Sequence, residues 1–113
     1  MRWLILGLAL LTMNVNAAEA FKTGQELREE CGDNSGFFMR GACYGFITAV
    51  FDLHSSWVES GVISEPQFCK PPRVTLDKLK SVITAYMDAN PDDLDKTASG
   101  NVLNAFAQAF PCE

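Results

Sequence analysis

The sequence predicts an all-α protein: a compact four-helix bundle held together by two disulfide bonds. Apolar residues recur at helical spacing in long segments, and no segment shows the sustained two-residue alternation of a half-buried strand. The chain of 113 residues contains four cysteines and is 48% hydrophobic, a composition that excludes a disordered or low-complexity protein. Its length corresponds to one domain.

The first predicted helix runs from about Gly24 to Cys31. Thr23 is followed three residues later by Glu26, which is the spacing of a capping box at a helix N-terminus. Residues 32–36 are glycine, aspartate, asparagine, serine and glycine, and they predict a turn.

The second predicted helix, from about Phe37 to Glu59, is the longest and ends at Ser60 and Gly61. Residues 62–75 contain three prolines and no clear period, so they are expected to form a long ordered loop. The apolar residues of this helix that recur at helical spacing are Phe38, Ala42, Phe46, Ala49, Val50, Leu53 and Trp57.

A row of small residues lies along the same helix. Gly41, Gly45 and Ala49 recur every four residues and therefore form a smooth groove on one face. Close packing of another part of the same chain against this groove is favoured over a seam between two copies. Each glycine costs about 1 kcal/mol of helix stability relative to alanine, so a packing contact along the groove is expected to offset this cost.

The third predicted helix begins after Thr75, a good N-cap, with Asp77 in its first turn. It ends at Asn90, because a residue that precedes proline is pushed out of helical geometry. The residues of its apolar face are Leu76, Leu79, Val82, Ile83, Tyr86 and Met87.

The fourth predicted helix runs from Pro91 to Pro111 and, because the connection is tight, antiparallel to the third. Gly100 is expected to bend this helix or to split it, which would make five helices. Acidic residues near its positive end are Asp92, Asp93 and Asp95. Its apolar stripe consists of Leu94, Ala98, Val102, Ala105, Phe106, Ala109 and Phe110.

The beginning of the chain predicts a secretory signal peptide over residues 1–18. Arg2 precedes an apolar run of eleven residues, Trp3 to Met13, which is shorter than the ~20 residues that span a bilayer. Cleavage is expected between residues 17 and 20, since the small residues before Ala17 and Ala20 both fit. The mature, exported chain is then a single domain, residues 19–113.

Four cysteines in an exported chain favour two disulfides. Their spacings match no zinc motif, and the chain has one histidine. Four cysteines allow three pairings. The hairpin of the first two helices brings Cys31 near Cys43, and antiparallel third and fourth helices bring Cys69 near Cys112, so these two pairs are the expected ones.

No catalytic, cofactor or metal site is predicted. His54 is expected on the helix surface or partly buried, because Asp52, two residues earlier, faces another side of the helix. The acidic residues Asp92, Asp93 and Asp95 lack the glycine and distal glutamate of a calcium loop. A formal net charge of -5 disfavours binding to nucleic acid and to membrane surfaces.

Short motifs surround the four cysteines. In chain order they are Thr23-Gly24 with Leu27 and Cys31, Cys43-Tyr44-Gly45-Phe46-Ile47 followed by Asp52, Cys69-Lys70-Pro71 with Val74 and Thr75, Leu79 with Val82 and Tyr86, Asn90-Pro91, and Phe110-Pro111-Cys112. With this framework the mature chain resembles the Rap/Tai family of type VI secretion immunity proteins. Phe46 stands where tyrosine is expected and Ala49 where glycine is usual, and both keep the apolar or small character.

The resemblance implies a small α-helical protein of the periplasm that binds a peptidoglycan amidase effector and blocks its active site. It also implies a homodimer, since relatives often act as dimers. The loop from Ser60 to Pro72 is the candidate contact, because a loop between helices plugs the enzyme's groove in relatives. Its candidate residues are Glu59, Ser60, Val62, Ile63, Glu65 and Gln67. Phe68 is either a further contact or a core residue of a loop that only spans the bundle.

Two other functions remain as alternatives. The first is an acid-stress chaperone of the HdeA type, which is also small, helical, disulfide-bonded and periplasmic. The second is a small cell-wall hydrolase that uses His54.

Overall fold

A computed structural model describes residues 20–113, and the signal peptide predicted for residues 1–18 lies outside the described residues. The described part is all-α, as predicted: it has no β-strand, and one isolated antiparallel bridge joins Thr23 to Thr97. The elements are α1 (Gly24–Glu30), α2 (Phe37–Ser60), α3 (Leu76–Ala89), a 3-10 helix (Pro91–Asp93) and α4 (Ala98–Ala109). None of these helices is both long and apolar enough to span a bilayer.

Local signals define most helix ends. The Thr23 hydroxyl accepts a hydrogen bond from the Glu26 N–H at 3.3 Å, and the Thr75 hydroxyl accepts one from the Lys78 N–H at 3.2 Å. Helix α2 ends at Gly61, whose φ of 78° is a left-handed conformation that glycine adopts without steric cost. These three ends lie within one residue of the predicted positions.

The prediction of one helix from Pro91 to Pro111 is wrong. Pro91 starts a single 3-10 turn, and α4 begins after Thr97, whose hydroxyl accepts a hydrogen bond from the Gly100 N–H at 3.1 Å. The segment therefore divides before Thr97 and not at Gly100, which lies in the first turn of α4. The reason is contacts outside the helical pattern of this segment. Its backbone pairs with the start of α1, since the Gly24 N–H donates to the Lys96 carbonyl and the Ala98 N–H donates to the Lys22 carbonyl, both at 2.9 Å. The Asn101 amide also donates to the Asp93 carbonyl at 2.8 Å and to the Thr97 carbonyl at 3.0 Å.

Helix α2 is rotated relative to its predicted apolar face. Its buried residues are Cys43, Ile47, Phe51 and His54, whereas Phe38 is 82% exposed and Leu53 is 49% exposed. Apolar residues cover more than one face of this helix, so their pattern alone does not decide which face turns inward. The bond from Cys31 to Cys43 helps to turn the observed face toward α1.

The small-residue groove on α2 is open in the described structure. Gly41, Gly45 and Ala49 are all exposed, and a Cβ atom built on Gly41 or Gly45 would meet nothing within 4 Å. The prediction that another part of the chain packs there is therefore wrong for the described residues.

The remaining helices contribute their apolar faces largely as predicted. In α3 the residues Leu79, Ile83, Tyr86 and Met87 are buried, while Leu76 is half-exposed. In α4 the buried positions include Val102 and Phe106. The core cluster consists of Leu27, Cys31, Cys43, Ile47, Phe51, Phe68, Leu79, Ile83, Tyr86, Met87, Ala98, Val102, Ala105, Phe106 and Phe110.

Both expected disulfides are present. Cys31–Cys43 links the end of α1 to α2, with a Cα–Cα distance of 5.1 Å. Cys69–Cys112 links the segment before α3 to the end of the chain, with a Cα–Cα distance of 5.0 Å. On a loop-entropy estimate these bonds stabilise the fold by roughly 3 and 4 kcal/mol, because they restrict the unfolded chain.

Candidate binding site

The candidate site is the segment of residues 60–72, called here the contact loop, which leaves α2 and returns toward α3. Gly61 reverses the chain, and the Ile63 N–H donates to the Trp57 carbonyl at 3.3 Å, so the loop folds back beside the end of α2. Further along, Arg73 has a φ of 59°, a left-handed conformation that few residues other than glycine adopt. This turn leads into Thr75, the N-cap of α3.

Phe68 anchors the base of the contact loop in the core. It is 3% exposed, and its ring lies 5.2 Å from that of Phe51 and 5.1 Å from that of Phe106, measured between centroids. Such aromatic pairs contribute about 0.5–1.5 kcal/mol each beyond the area that they bury. Of the two roles left open for Phe68, the structure shows the core role, and Phe68 presents almost no surface to a partner.

His54 is a second anchor. It is 5% exposed, so the expectation of a surface or partly buried residue understates its burial. Its Nε2 atom accepts a hydrogen bond from the Gln67 N–H at 3.0 Å, and its ring stacks on Phe68 with centroids 4.0 Å apart. Burial lowers the pKa of His54 below its ordinary value, because desolvation disfavours the imidazolium.

The surroundings of His54 do not form a nucleophile–base pair. The neighbouring Ser55 hydroxyl donates to the Phe51 carbonyl at 3.1 Å, and the accepting nitrogen of His54 is occupied by Gln67. A hydrolase arrangement needs a nucleophile within hydrogen-bond reach of its base. The geometry at His54 is therefore that of a side chain that holds a loop.

The third anchor is covalent. Cys69 is bonded to Cys112, and the Cys69 N–H donates to the Phe110 carbonyl at 2.9 Å. These contacts tie the loop to the segment after α4. The base of the contact loop is thus held by a ring stack, a side-chain hydrogen bond and a disulfide, all within residues 67–69.

The predicted contact residues lie mostly on the surface. Val62 is 68% exposed, Ile63 is half-buried, and the other four positions are exposed: Glu59, Ser60, Glu65 and Gln67. They are spread from the end of α2 to the base of the contact loop, and their role in binding a partner stays a prediction.

A cleft of about 480 Å³ lies between α2 and the contact loop. Its lining residues are Phe51, His54, Ser55, Val58, Glu59, Pro66, Phe68, Cys69 and Lys70. The surface is mainly apolar, with one acidic and one basic side chain, and both of these are exposed. Sequence reasoning missed this cleft, because it depends on where the loop returns, although the aromatic residue next to Cys69 marked the buried end of the loop.

No group of three or more histidine, cysteine, aspartate or glutamate side chains in residues 20–113 is placed to hold a metal ion. Asp93 is engaged locally, since it accepts hydrogen bonds from Lys96 Nζ at 2.7 Å and from the Tyr86 hydroxyl at 2.8 Å. Lys96, followed by Tyr86, lowers the pKa of the Asp93 carboxyl. This acid stabilises the turn before α4.

Fold and loop together define a small, disulfide-bonded helical protein that presents an exposed loop on a tightly held base. The family model of the Rap1a immunity proteins matches residues 23–112, from the N-cap of α1 to the last cysteine. The chain therefore belongs to the family of Rap1a immunity proteins, and the resemblance to Rap/Tai-type immunity proteins is confirmed. Immunity proteins are in general not enzymes, which agrees with the prediction at the level of the family.

Neither the curated proteins nor the solved structures include a significant match to this chain.

Proposed function

We propose that this immunity protein acts in the periplasm, where it binds and inhibits a peptidoglycan amidase delivered by type VI secretion. The contact loop occupies the active-site groove of the amidase and so protects the producing cell and its kin. The observation that carries the proposal is the construction of the loop: its first half is exposed, whereas its base at residues 67–69 is anchored three times.

An anchored loop suits an inhibitor for an energetic reason. Ordering a flexible segment on binding costs about 0.5–1.5 kcal/mol for each immobilised side chain with many rotamers. A loop whose base is already fixed by Phe68 and by the Cys69–Cys112 bond avoids part of this cost. More of its contact energy then appears as affinity.

The charges near the loop support the same kind of partner. Glu59 and Glu65 are exposed beside the apolar Val62, and the chain carries a formal net charge of -5. An enzyme that binds the anionic cell wall is expected to be basic around its groove. Complementary charge accelerates association and disfavours wrong partners.

Export is part of the proposal. Residues 1–18 serve as a signal peptide that is cleaved between residues 17 and 20, and residues 19–113 form the mature domain. Support comes from the two disulfides, because such bonds persist in oxidising compartments. The mass of the protein recovered from the periplasm checks both the cleavage position and the oxidation of all four cysteines.

The decisive experiment expresses candidate amidase effectors in the periplasm of a sensitive cell, with and without this protein. We expect one effector encoded by the same genome to be neutralised and to bind the purified protein. Val62→Asp should lose protection, because it places a carboxylate at the centre of the apolar part of the loop.

Ser81→Asp is the control for Val62→Asp. It introduces the same carboxylate at an exposed position of α3, outside the contact loop and outside α2. This variant should protect as well as the wild type does. Equal loss of protection in both variants, or failure of every effector to bind, would contradict the proposal.

The proposal includes a homodimer formed through the open face of α2, defined by Phe38, Ala42, Gly45, Ala49, Leu53 and Ser56. These positions repeat at helical spacing and carry no charge, so two copies of the face meet without like-charge repulsion. Within this face Phe38 is 82% exposed, and Phe37 beside it is 91% exposed. At ~150–250 Å² each, they supply about half of the ~800 Å² that a stable interface buries on each partner.

Gly45→Gln tests this seam. The side chain fills the space that the open face leaves at Gly45, so we expect a shift from dimer to monomer in light scattering. Ser81→Gln, on the exposed side of α3, should leave the dimer intact. A wild-type protein that is monomeric at high concentration would remove the dimer from the proposal.

A further inference from the structure

We propose that His54 is a positioning residue for the contact loop, and that it holds Gln67 and Phe68 in place only while its imidazole is neutral. Protonation at Nε2 releases the base of the loop, so that binding through the loop weakens as the pH falls. The effect on binding rests on the proposed function of the loop. The hydrogen bond from the Gln67 N–H to His54 Nε2 is called the latch, and it is independent of any function of the loop.

The hydrogen bond requires one protonation state of the ring. Nε2 accepts from the Gln67 N–H at 3.0 Å, and it can do so only when it carries no proton. An imidazolium has an N–H at both ring nitrogens. Two donors would then face each other across this distance, and the Gln67 amide would have to move away.

The surroundings offer a buried imidazolium no compensation. The His54 ring stacks on Phe68 with an interplanar angle of 20°, and Phe51 and Phe106 pack on the other sides of Phe68. Helix α4 contributes Phe106 to this aromatic cluster, and the ring of Phe110 lies 5.8 Å from that of Phe106. One face of the His54 ring is covered by Phe68, and none of the ion pairs in residues 20–113 gives it an acidic partner, so a charge there is poorly compensated.

The charged groups that share the cleft are few. Glu59 on α2 and Lys70 in the loop line it together with His54, and both are exposed. Asp52, also on α2, lines a different cleft with Lys70. No ion pair joins His54 to an acid within residues 20–113. Desolvation is therefore the force that acts on the ring.

The direction of the pH effect follows from burial. The pKa of His54 is lower in the folded protein than in an open or unfolded chain, so the open state binds the proton more readily. The latch is fully effective above the ordinary histidine pKa of about 6.5. It is lost as the pH falls below that value and through the lower pKa of the closed state.

The opening is local. The Cys69–Cys112 bond does not titrate and keeps the loop attached beyond Phe68. The helix that carries His54 is held elsewhere by Cys43, Ile47 and Phe51. Protonation therefore frees residues 62–67 and leaves the helical bundle in place.

The test measures the loop directly by NMR on the mature, disulfide-bonded protein without any partner. The Cε1–H resonance of His54 reports protonation, and hydrogen exchange of the Gln67 amide, corrected for its intrinsic rate, reports the latch. We expect the protection of Gln67 to fall at least about tenfold from pH 7.5 to pH 5.0, in step with the titration of His54, since one pH unit corresponds to a factor of ten.

Two variants separate positioning from a merely structural role. The Oε1 atom of His54→Gln reaches the place of Nε2 and accepts the same hydrogen bond without titrating, so Gln67 should stay protected at both pH values. His54→Phe keeps the ring stack and removes the acceptor, so Gln67 should exchange rapidly at both. If His54→Phe does not fold, the comparison of wild type with His54→Gln still decides the question.

Three results would overturn the latch: Gln67 stays protected while His54 gains its proton, protection falls equally in wild type and His54→Gln, or His54 stays neutral down to pH 4. None of them depends on a partner. If Val62→Asp retains full immunity while Gln67 follows His54, the latch holds and the loop is not the binding surface.

Discussion

Single glycines in this protein have opposite roles that the helical pattern does not distinguish. Gly24 is buried at the start of α1, where a Cβ atom would lie 2.6 Å from the Asn101 Nδ2 atom and 3.2 Å from the Leu94 Cα atom. Gly45 lies in the middle of α2 with open space around its Cα. The first glycine permits close packing between α1 and α4, and the second leaves a surface free.

We therefore expect Gly24→Ala to destabilise the protein by about 1–3 kcal/mol, because the overlap forces Asn101 or the backbone to shift. Gly45→Ala should stabilise the monomer by up to about 1 kcal/mol through helix propensity. Urea unfolding at low protein concentration checks both values. A stabilising Gly24→Ala would show that α1 and α4 are less tightly packed than described.

Asn101 is the polar residue on which the corner before α4 depends. It is buried, and its amide donates to the Asp93 and Thr97 carbonyls. Asn101→Ala removes this donor, but the two carbonyls keep the Lys96 N–H and the residue 101 N–H, so the expected cost is about 1 kcal/mol. Gln108→Ala, an exposed position of α4, is the control and should change the free energy of unfolding by less than about 0.5 kcal/mol.

Among the elements, α3 offers the simplest test of a helix end. The Thr75 hydroxyl caps the Lys78 N–H, and Thr75 is exposed, so its replacement removes little else. Thr75→Ala should destabilise the protein by about 1 kcal/mol, and Thr75→Ser should be close to wild type. The midpoint of thermal or urea unfolding measures the difference, and equal midpoints for both variants would mean that the cap is not needed.

The elements also show which parts of the fold the sequence predicts. Ends that depend on nearby residues, such as Thr23 with Glu26 or Gly61 after Ser60, were predicted within one residue. The break before Thr97 was not, because it depends on backbone contacts with the start of α1 and on Asn101 reaching back to Asp93. The prediction of which face of α2 is buried was wrong for a similar reason, because only contacts with other elements select one of its apolar faces.

The candidate site was also predicted from the sequence only in part. The prolines and the lack of a period predicted the span of the loop, and the cysteine framework predicted its tie to Cys112. The contact between His54 and Gln67 joins residues 13 positions apart in a direction that no local pattern specifies. Burial of His54 was therefore underestimated, although an aromatic residue next to Cys69 was recognised.

For the whole molecule, the structure predicts resistance to acid. Its helices are linked by two disulfides that do not titrate. Of the three ion pairs within residues 20–113, Arg28–Asp88 and Lys96–Asp93 have exposed members, and Lys22–Glu30 is half-buried. The pKa of Asp93 is lower in the folded protein than in the unfolded chain. The stabilisation that its carboxylate provides is therefore complete above the unfolded-state pKa and is lost as the pH falls through the folded-state pKa. We expect the far-ultraviolet circular dichroism of pH 7 to be largely retained at pH 3.

This measurement also separates the immunity function from an HdeA-type chaperone. A chaperone of that type should lose much of its helix in acid and then protect unfolding clients from aggregation. Loss of most helical signal above pH 3, together with client protection, would favour the chaperone. Opening of the contact loop below the pKa of His54 should leave the circular dichroism almost unchanged, since residues 62–67 contain no helix.

In the export that we propose, the positions of the disulfides along the chain set an order of assembly. Cys31 and Cys43 are 12 residues apart, so their bond would form once the first third of the mature chain has emerged from the translocation channel. Cys69 would have to wait for Cys112, 43 residues later. The surface proposed to meet the toxin would thus be completed last, and a newly exported molecule would pass through a stage at which it is folded in part but not yet protective.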